Sequence, residues 1–136
     1  MSVAKIMSTD VVTVEMDDPL WFVRDIFNRA AFHHLLVVGQ DGLCGVISDR
    51  DLLKALSPTL DTAAETTKDR ATLSKKAHQI LTRKPVTLPP TASVYEAIDI
   101  FNEYPISCIP VVNRDNKPVG ILSWRDILKA VGKKSK

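Results

Sequence analysis

Gly45-Val46-Ile47-Ser48-Asp49-Arg50-Asp51-Leu52-Leu53 and Gly120-Ile121-Leu122-Ser123-Trp124-Arg125-Asp126-Ile127-Leu128 are one phrase written twice. Each opens with a short apolar run, as a buried strand does. Each then continues with apolar residues at helical spacing: Leu52, Leu53 and Leu56 in the first copy, and Ile127, Leu128 and Val131 in the second. The serine and the aspartate three residues on fall at the start of that helix, where backbone N–H groups lack partners. Such a place suits a phosphorylated ligand, and it equally suits a plain capping box.

The repetition extends outward from the phrase. Slid against itself by 74 positions, the chain sets Ile6 on Ile80, Val12-Thr13 on Val86-Thr87, Ile26-Phe27-Asn28 on Ile100-Phe101-Asn102 and Val37-Val38 on Val111-Val112. Beyond the next turn the offset is 75, and Gly45, Ser48, Arg50, Asp51, Lys54 and Ala55 meet Gly120, Ser123, Arg125, Asp126, Lys129 and Ala130. Solenoid arrays need three or more units, so two copies imply a closed pair with pseudo-twofold symmetry. The reading divides the chain into residues 1–58, a linker over 59–76, and residues 77–136.

Each copy spells β-α-β-β-α, an α/β (α+β) class. In the first, residues 5–8 form a short helix or turn and Val11–Val14 are extended. Asp18-Pro19 supplies N-cap and N1 of a helix whose inner face is Leu20, Val23, Ile26, Phe27 and Ala30. Leu35–Val38 and Cys44–Ser48 are strands joined by a hairpin at Gly39-Gln40-Asp41-Gly42. The second copy offers strand Val86–Leu88, a helix from about Ala92 with Ser93 and Glu96 at capping-box spacing, strands Ile109–Val112 and Val119–Ser123, and a closing helix to Val131. Between the copies, the Ser-, Thr-, Asp- and Lys-rich stretch Ser57–Lys76 begins as a loop. Residues 71–83 suggest a helix with Leu73, Ala77, Ile80 and Leu81 inward.

Composition narrows the function. At 136 residues, 45% hydrophobic and 25% charged, the chain is an ordinary globular one, and a net charge of +2 is too small to imply nucleic acid or an anionic membrane. No apolar run approaches the roughly 20 residues of a membrane helix. Met1–Lys5 has no secretory apolar core, and Cys44 and Cys108 are too few for a disulfide framework. The expectation is a cytoplasmic protein with two reduced thiols and a solvated basic tail from Gly132 to Lys136.

The duplicated β-α-β-β-α unit, the Gly-apolar-apolar-Ser-x-x-Asp phrase and the Ile109-Pro110-Val111-Val112 strand resemble the CBS domain family, named for the regulatory region of cystathionine β-synthase. The likeness covers both halves and is similar to stand-alone bacterial pairs of the acetoin-utilisation type. It implies two motifs packed about an approximate twofold axis with two clefts, and a homodimer formed through the helices. It also implies binding of AMP, ADP, ATP or S-adenosylmethionine, with occupancy relayed to an effector protein. No catalysis, required cofactor, metal, membrane or nucleic-acid partner is implied.

Residue by residue, the resemblance makes Asp51 and Asp126 acceptors for the vicinal hydroxyls of a ribose, a task that suits a carboxylate's two oxygens. Ser48, Arg50, Ser123 and Arg125 fall where the family contacts phosphate, and an Arg beside Asp49 and Asp51 could instead be merely solvated. His33 and His34 precede a strand and so point to opposite sides. They stand where family members present cations to phosphate, and a metal site would need acidic ligands the nearby sequence does not supply. The second copy has Ser107 and Cys108 there, and the first has Leu36 where the second has Pro110, so the two clefts should differ. Val12 and Val86 fall where the family holds the nucleobase, or they are strand core. Trp21 and Trp124 read as packing residues, and Phe22 and Tyr95 as a dimer face. The leading expectation is a ligand-sensing regulatory module; the competing one is a scaffold that dimerises and docks without a ligand. No phosphate-binding loop, hydrolase elbow or zinc-protease motif points to an enzyme.

Overall fold

The computed structural model describes residues 1–29 and 33–134, which leaves Ala30 of the expected helix face, Ser135 and Lys136 outside the described residues. The chain gathers into two compact units. One holds Thr13–Gly39 and Cys44–Lys84; the other holds Met1–Val12, Gln40–Leu43 and the chain from Pro85 onward. For brevity they are the Asp51 unit and the Asp126 unit.

In the Asp51 unit, β1 (Thr13–Glu15) runs parallel to β2 (His34–Gly39), with Val14 opposite Val37. The sheet continues through β3 (Gly42–Ser48) to β4 (Thr82–Arg83). The hairpin turn falls at Gln40-Asp41, and Gly42 takes φ +96°, a left-handed conformation that glycine adopts without strain. Two helices accompany the sheet, α1 (Leu20–Arg29) and α2 (Asp49–Ala55). Leu20, Val23, Leu35, Val37, Ile47, Leu52, Leu73 and Ala77 are buried.

In the Asp126 unit, β5 (Cys108–Val112) and β6 (Pro118–Ser123) form an antiparallel pair with an irregularity between Val111 and Val112. Helices α4 (Val94–Glu103) and α5 (Trp124–Lys134) complete it. The core comprises Val3, Leu88, Ala92, Ala97, Ile109, Val111, Leu122 and Ile127. The expected strand Val86–Leu88 shrinks to a single parallel bridge, Leu88 to Val111. Pro89 and Pro90 follow at once, and proline cannot extend a ladder.

The two units trade their leading segments. Val3 N–H donates to Ala92 O and, one repeat later, Ala77 N–H donates to Asp18 O, both at 2.8 Å. Ser8 pairs with Ile121 in the Asp126 unit, as Thr82 pairs with Val46 in the Asp51 unit. The segment that opens each repeat therefore pairs with a strand from the other repeat. The glycine of the doubled phrase is what lets it pass. A Cβ on Gly45 would lie 2.5 Å from Thr82 O and 2.6 Å from Leu81 Cδ1; one on Gly120 would lie 2.4 Å from Met7 Sδ.

Two local expectations fail for identifiable reasons, and two others are met in whole or in part. Asp18 does not cap α1: its carboxylate accepts from Glu15 N–H at 2.8 Å, and the first helical carbonyl is that of Pro19, one residue later. Residues 71–83 are not one helix but two 3-10 turns, Thr72–Ser74 and Ala77–Gln79, followed by β4. The linker's first half, residues 57–66, is loop and turns as expected, and α3 (Thr67–Ala71), with a Thr66–Asp69 capping box, opens its second half. Asp69 also accepts from Thr59 Oγ1 at 2.6 Å and Ser57 Oγ at 2.8 Å, and these hydroxyls hold its carboxyl down at about 2. Finally, Ser93 accepts from Glu96 N–H at 3.1 Å, which is one arm of the expected box.

The crossing makes a direct prediction. Gly45→Ala meets a backbone carbonyl that cannot move alone, whereas Gly120→Ala meets a flexible methionine. Gly45→Ala is expected to lower stability by about 1–3 kcal/mol in urea denaturation, and Gly120→Ala by less. Equal midpoints for the two variants would refute this role for the glycines.

Candidate functional site

The Ser-x-x-Asp phrases fold as capping boxes, because a serine at the strand end and an aspartate at N3 satisfy each other's backbone N–H. Ser48 N–H donates to Asp51 Oδ2 at 2.9 Å, and Asp51 N–H to Ser48 Oγ at 3.0 Å. Ser123 N–H donates to Asp126 Oδ2 at 2.8 Å, and Asp126 N–H to Ser123 Oγ at 3.2 Å. In both repeats the box consumes Oδ2 alone, and among the described residues nothing donates to Oδ1. All four side chains are half-buried. Capping and ligand binding are therefore compatible, each using a different oxygen of one carboxylate.

The serines differ. Ser123 Oγ also donates to Asp126 Oδ2, at 3.1 Å, whereas Ser48 Oγ donates to no acceptor among the described residues. Arg50 and Arg125 are exposed. Neither makes an ion pair or hydrogen bond with the described residues, so the acidic neighbours Asp49 and Asp51 do not hold Arg50.

The two histidines part, as extended neighbours must. His33 is exposed, and its Nδ1 lies 2.9 Å from Asp49 Oδ2, while its carbonyl accepts from Asp49 N–H at 2.9 Å. His34 is half-buried. Burial pushes its pKa below the ordinary 6.5, partly offset by the negative charges of Asp49 and Asp51. Asp49 is the partner that the sequence did not reveal: it lies 16 residues from His33, and only the strand-to-helix turn brings them together. Even with Asp49, no three His, Cys, Asp or Glu side chains among the described residues gather as a metal site.

In the second repeat Ser107 is exposed, and Cys108 is buried with its thiol pushed up to about 12 by that burial. Neither Cys44 nor Cys108 forms a disulfide among the described residues. Val12 and Val86 are half-buried, lie outside the named strands, and both belong to the Asp126 unit. The trade of leading segments thus places Val12 with Asp126 rather than with Asp51. Trp21 and Trp124 are not packing residues within the chain, being 55% and 49% exposed. Trp21 stands edge-on to Phe22, with ring centroids 6.1 Å apart.

His34 gives the site a pH signature. A base whose pKa is lower folded than unfolded binds fewer protons in the native state, so stability rises with pH across that interval. The native protein should lose stability as pH falls below about 6.5, the unfolded histidine value, and His34→Gln should flatten that slope in urea titrations. An unchanged slope would contradict the burial of the ring.

Comparison with known proteins agrees with this architecture. The family model for the CBS domain matches residues 3–58 and 77–133. A CBS domain-containing protein of Dictyostelium discoideum is 30% identical over 93% of this chain and 88% of its own length. Two further curated relatives, a homoserine O-acetyltransferase of Methanococcoides burtonii and an arabinose 5-phosphate isomerase of Escherichia coli, are longer, and the chain spans 24% and 34% of them. Among solved structures, the CBS domain pair of protein MJ0100 in complex with 5′-methylthioadenosine and S-adenosyl-L-methionine superposes with TM-score 0.79 at 25% identity, covering 98% of both chains. CBSX2 in complex with AMP gives 0.81 at 21%, covering 99% of this chain and 98% of that one. An acetoin utilization protein (AcuB) of Vibrio cholerae gives 0.78 at 19%, covering 98% and 91%. The last two likenesses concern the fold alone.

Proposed function

The chain belongs to the CBS domain family, and from that premise we propose that it is a regulatory, ligand-sensing module for an adenine nucleotide or another adenosyl ligand. The observation that carries this reading is the divided use of Asp51 and Asp126. Each carboxylate spends one oxygen on its capping box and keeps the other uncommitted, in both repeats. A ribose offers two adjacent hydroxyl donors, and a carboxylate oxygen on a fixed helix turn receives them with charge-assisted bonds. AMP, ADP, ATP and S-adenosylmethionine are the candidate ligands. The solved complex of the similar CBS domain pair with 5′-methylthioadenosine and S-adenosyl-L-methionine supports the class. The role is binding and relay to an effector protein, with no catalysis by this chain.

The test uses the cap's own asymmetry. Asn in place of Asp keeps an acceptor for the serine N–H and loses the second carboxylate oxygen. A ligand at 100 times its Kd stabilises by about 2.7 kcal/mol, which a melting curve resolves. AMP or S-adenosylmethionine is expected to raise the Tm of the native chain but not of Asp51→Asn/Asp126→Asn. A native Tm indifferent to all these ligands would favour the scaffold reading instead.

The exposed apolar surface supports a homodimer. The doubled Leu52-Leu53 and Ile127-Leu128 pairs each turn one residue inward and one outward, and Leu53 and Leu128 are 72% and 58% exposed. Trp21, Phe22, Tyr95, Trp124 and Val131 are exposed with them, on α1, α4 and α5. A second copy would cover these helix faces. Light scattering should report about twice the 15.1 kDa chain mass, and Leu128→Glu should lower it. A monomer at micromolar concentration would end this part of the reading.

A further inference from the structure

The outward faces of α4 and α5 carry opposite charge, and we infer that α4 of one copy docks on α5 of a second copy, acid against base, on both sides of a twofold axis. This inference rests on the homodimer reading above and deepens it by naming which helices meet.

α4 turns Glu96, Asp99 and Glu103 to solvent at i, i+3 and i+7, which is one stripe of a helix. Tyr95 and Asn102 border that stripe and are exposed with it. α5 turns out two adjacent stripes, the apolar Trp124, Leu128 and Val131 and the basic Arg125 and Lys129. The two helices are neighbours in one unit, yet none of these carboxylates and cations forms an ion pair among the described residues. The first repeat has no such acidic stripe. A shift of 74 sets Phe22, Asp25 and Arg29 on Glu96, Asp99 and Glu103, and Asp25 is already bound to Arg29 at 3.1 Å. Arg24 of the same helix is held by Asp61 at 2.8 Å. The uncommitted acidic stripe is therefore particular to α4.

A twofold contact presents the same patch from both copies, so if α4 meets the second copy's α5, that copy's α4 meets α5 in return. Each acidic stripe then gains a basic one, and the contact covers Tyr95, 76% exposed, together with Trp124, Leu128 and Val131. The opposite choice, α4 on α4 and α5 on α5, sets like charges face to face. α2 is the other helix with exposed cations, Arg50 and Lys54. Its seven residues span about 10 Å and expose one large apolar side chain, Leu53, where α5 exposes three along eleven residues. The ten-residue α4 matches the longer helix.

Sedimentation equilibrium on the full chain and two charge-reversed variants tests this. One variant carries Glu96→Lys/Asp99→Lys/Glu103→Lys, the other Arg125→Glu/Lys129→Glu. Each alone sets like charges across the contact and is expected to raise the dimer Kd about tenfold or more. Mixed in equal amounts, the two restore acid against base at both contacts, and the mixture is expected to dimerise as the native chain does. A chain that has lost its fold is not rescued by mixing, so restoration separates charge pairing from misfolding. The native dimer, with no substitution at all, should also weaken as salt rises. A dimer indifferent to salt and to both variants would overturn the pairing. So would weakening by the α4 variant alone, which would move the contact from α5 to α2, or weakening that mixing does not repair. A native chain that is monomeric would instead overturn the homodimer reading on which the pairing rests.

Discussion

The structure depends on a close approach that only glycine permits. At Gly45 and Gly120 the opening segment of one repeat passes against the strand of the other, with no room for a methyl group. Everything downstream in the doubled phrase follows from that passage. The serine that ends the strand, the helix turn and the aspartate at N3 fall at the same offset from that glycine in both copies. The candidate site residues thus sit at a fixed distance from the packing constraint in both repeats.

Much of this was legible before any coordinates. The offset of 74, shifting to 75 past the hairpin, located both repeats, and period and turn signals found the strands and helices of the structure except α3 and β4, while offering one strand, Val86–Leu88, that is only a bridge. What stayed hidden was non-local. No spacing rule announces that Met1–Val12 sides with the second half, because the bonds from Val3 to Ala92 and from Ser8 to Ile121 span most of the chain. The linker misled for the opposite reason. Thr66-x-x-Asp69 is a local capping signal of the same kind as Ser48-x-x-Asp51, but the five-residue helix it starts has Ala71 as its one apolar residue and no apolar face to catch the eye.

The candidate site divides the same way. Residue types and positions were legible, but the competition between cap and ligand was not, since spacing cannot say which carboxylate oxygen is used. Atomic geometry dissolves that competition rather than deciding it: Oδ2 caps and Oδ1 stays available. The His33–Asp49 pair was equally out of reach, because the two residues belong to elements whose meeting is a matter of tertiary structure.

The traded leading segments also set an order of events for a chain made from its N-terminus. Thr13 to Lys84 contain every strand of the Asp51 unit, so that unit can close as soon as Lys84 has emerged. Met1–Val12 are synthesised before their partners, for Ala92 and Ile121, which they bond, do not yet exist when they emerge. Val3, fully buried in the finished protein, finds its partner only once Ala92 has emerged. During synthesis Met1–Val12 therefore stay apart from these partners until the β5–β6 hairpin has emerged to retrieve them.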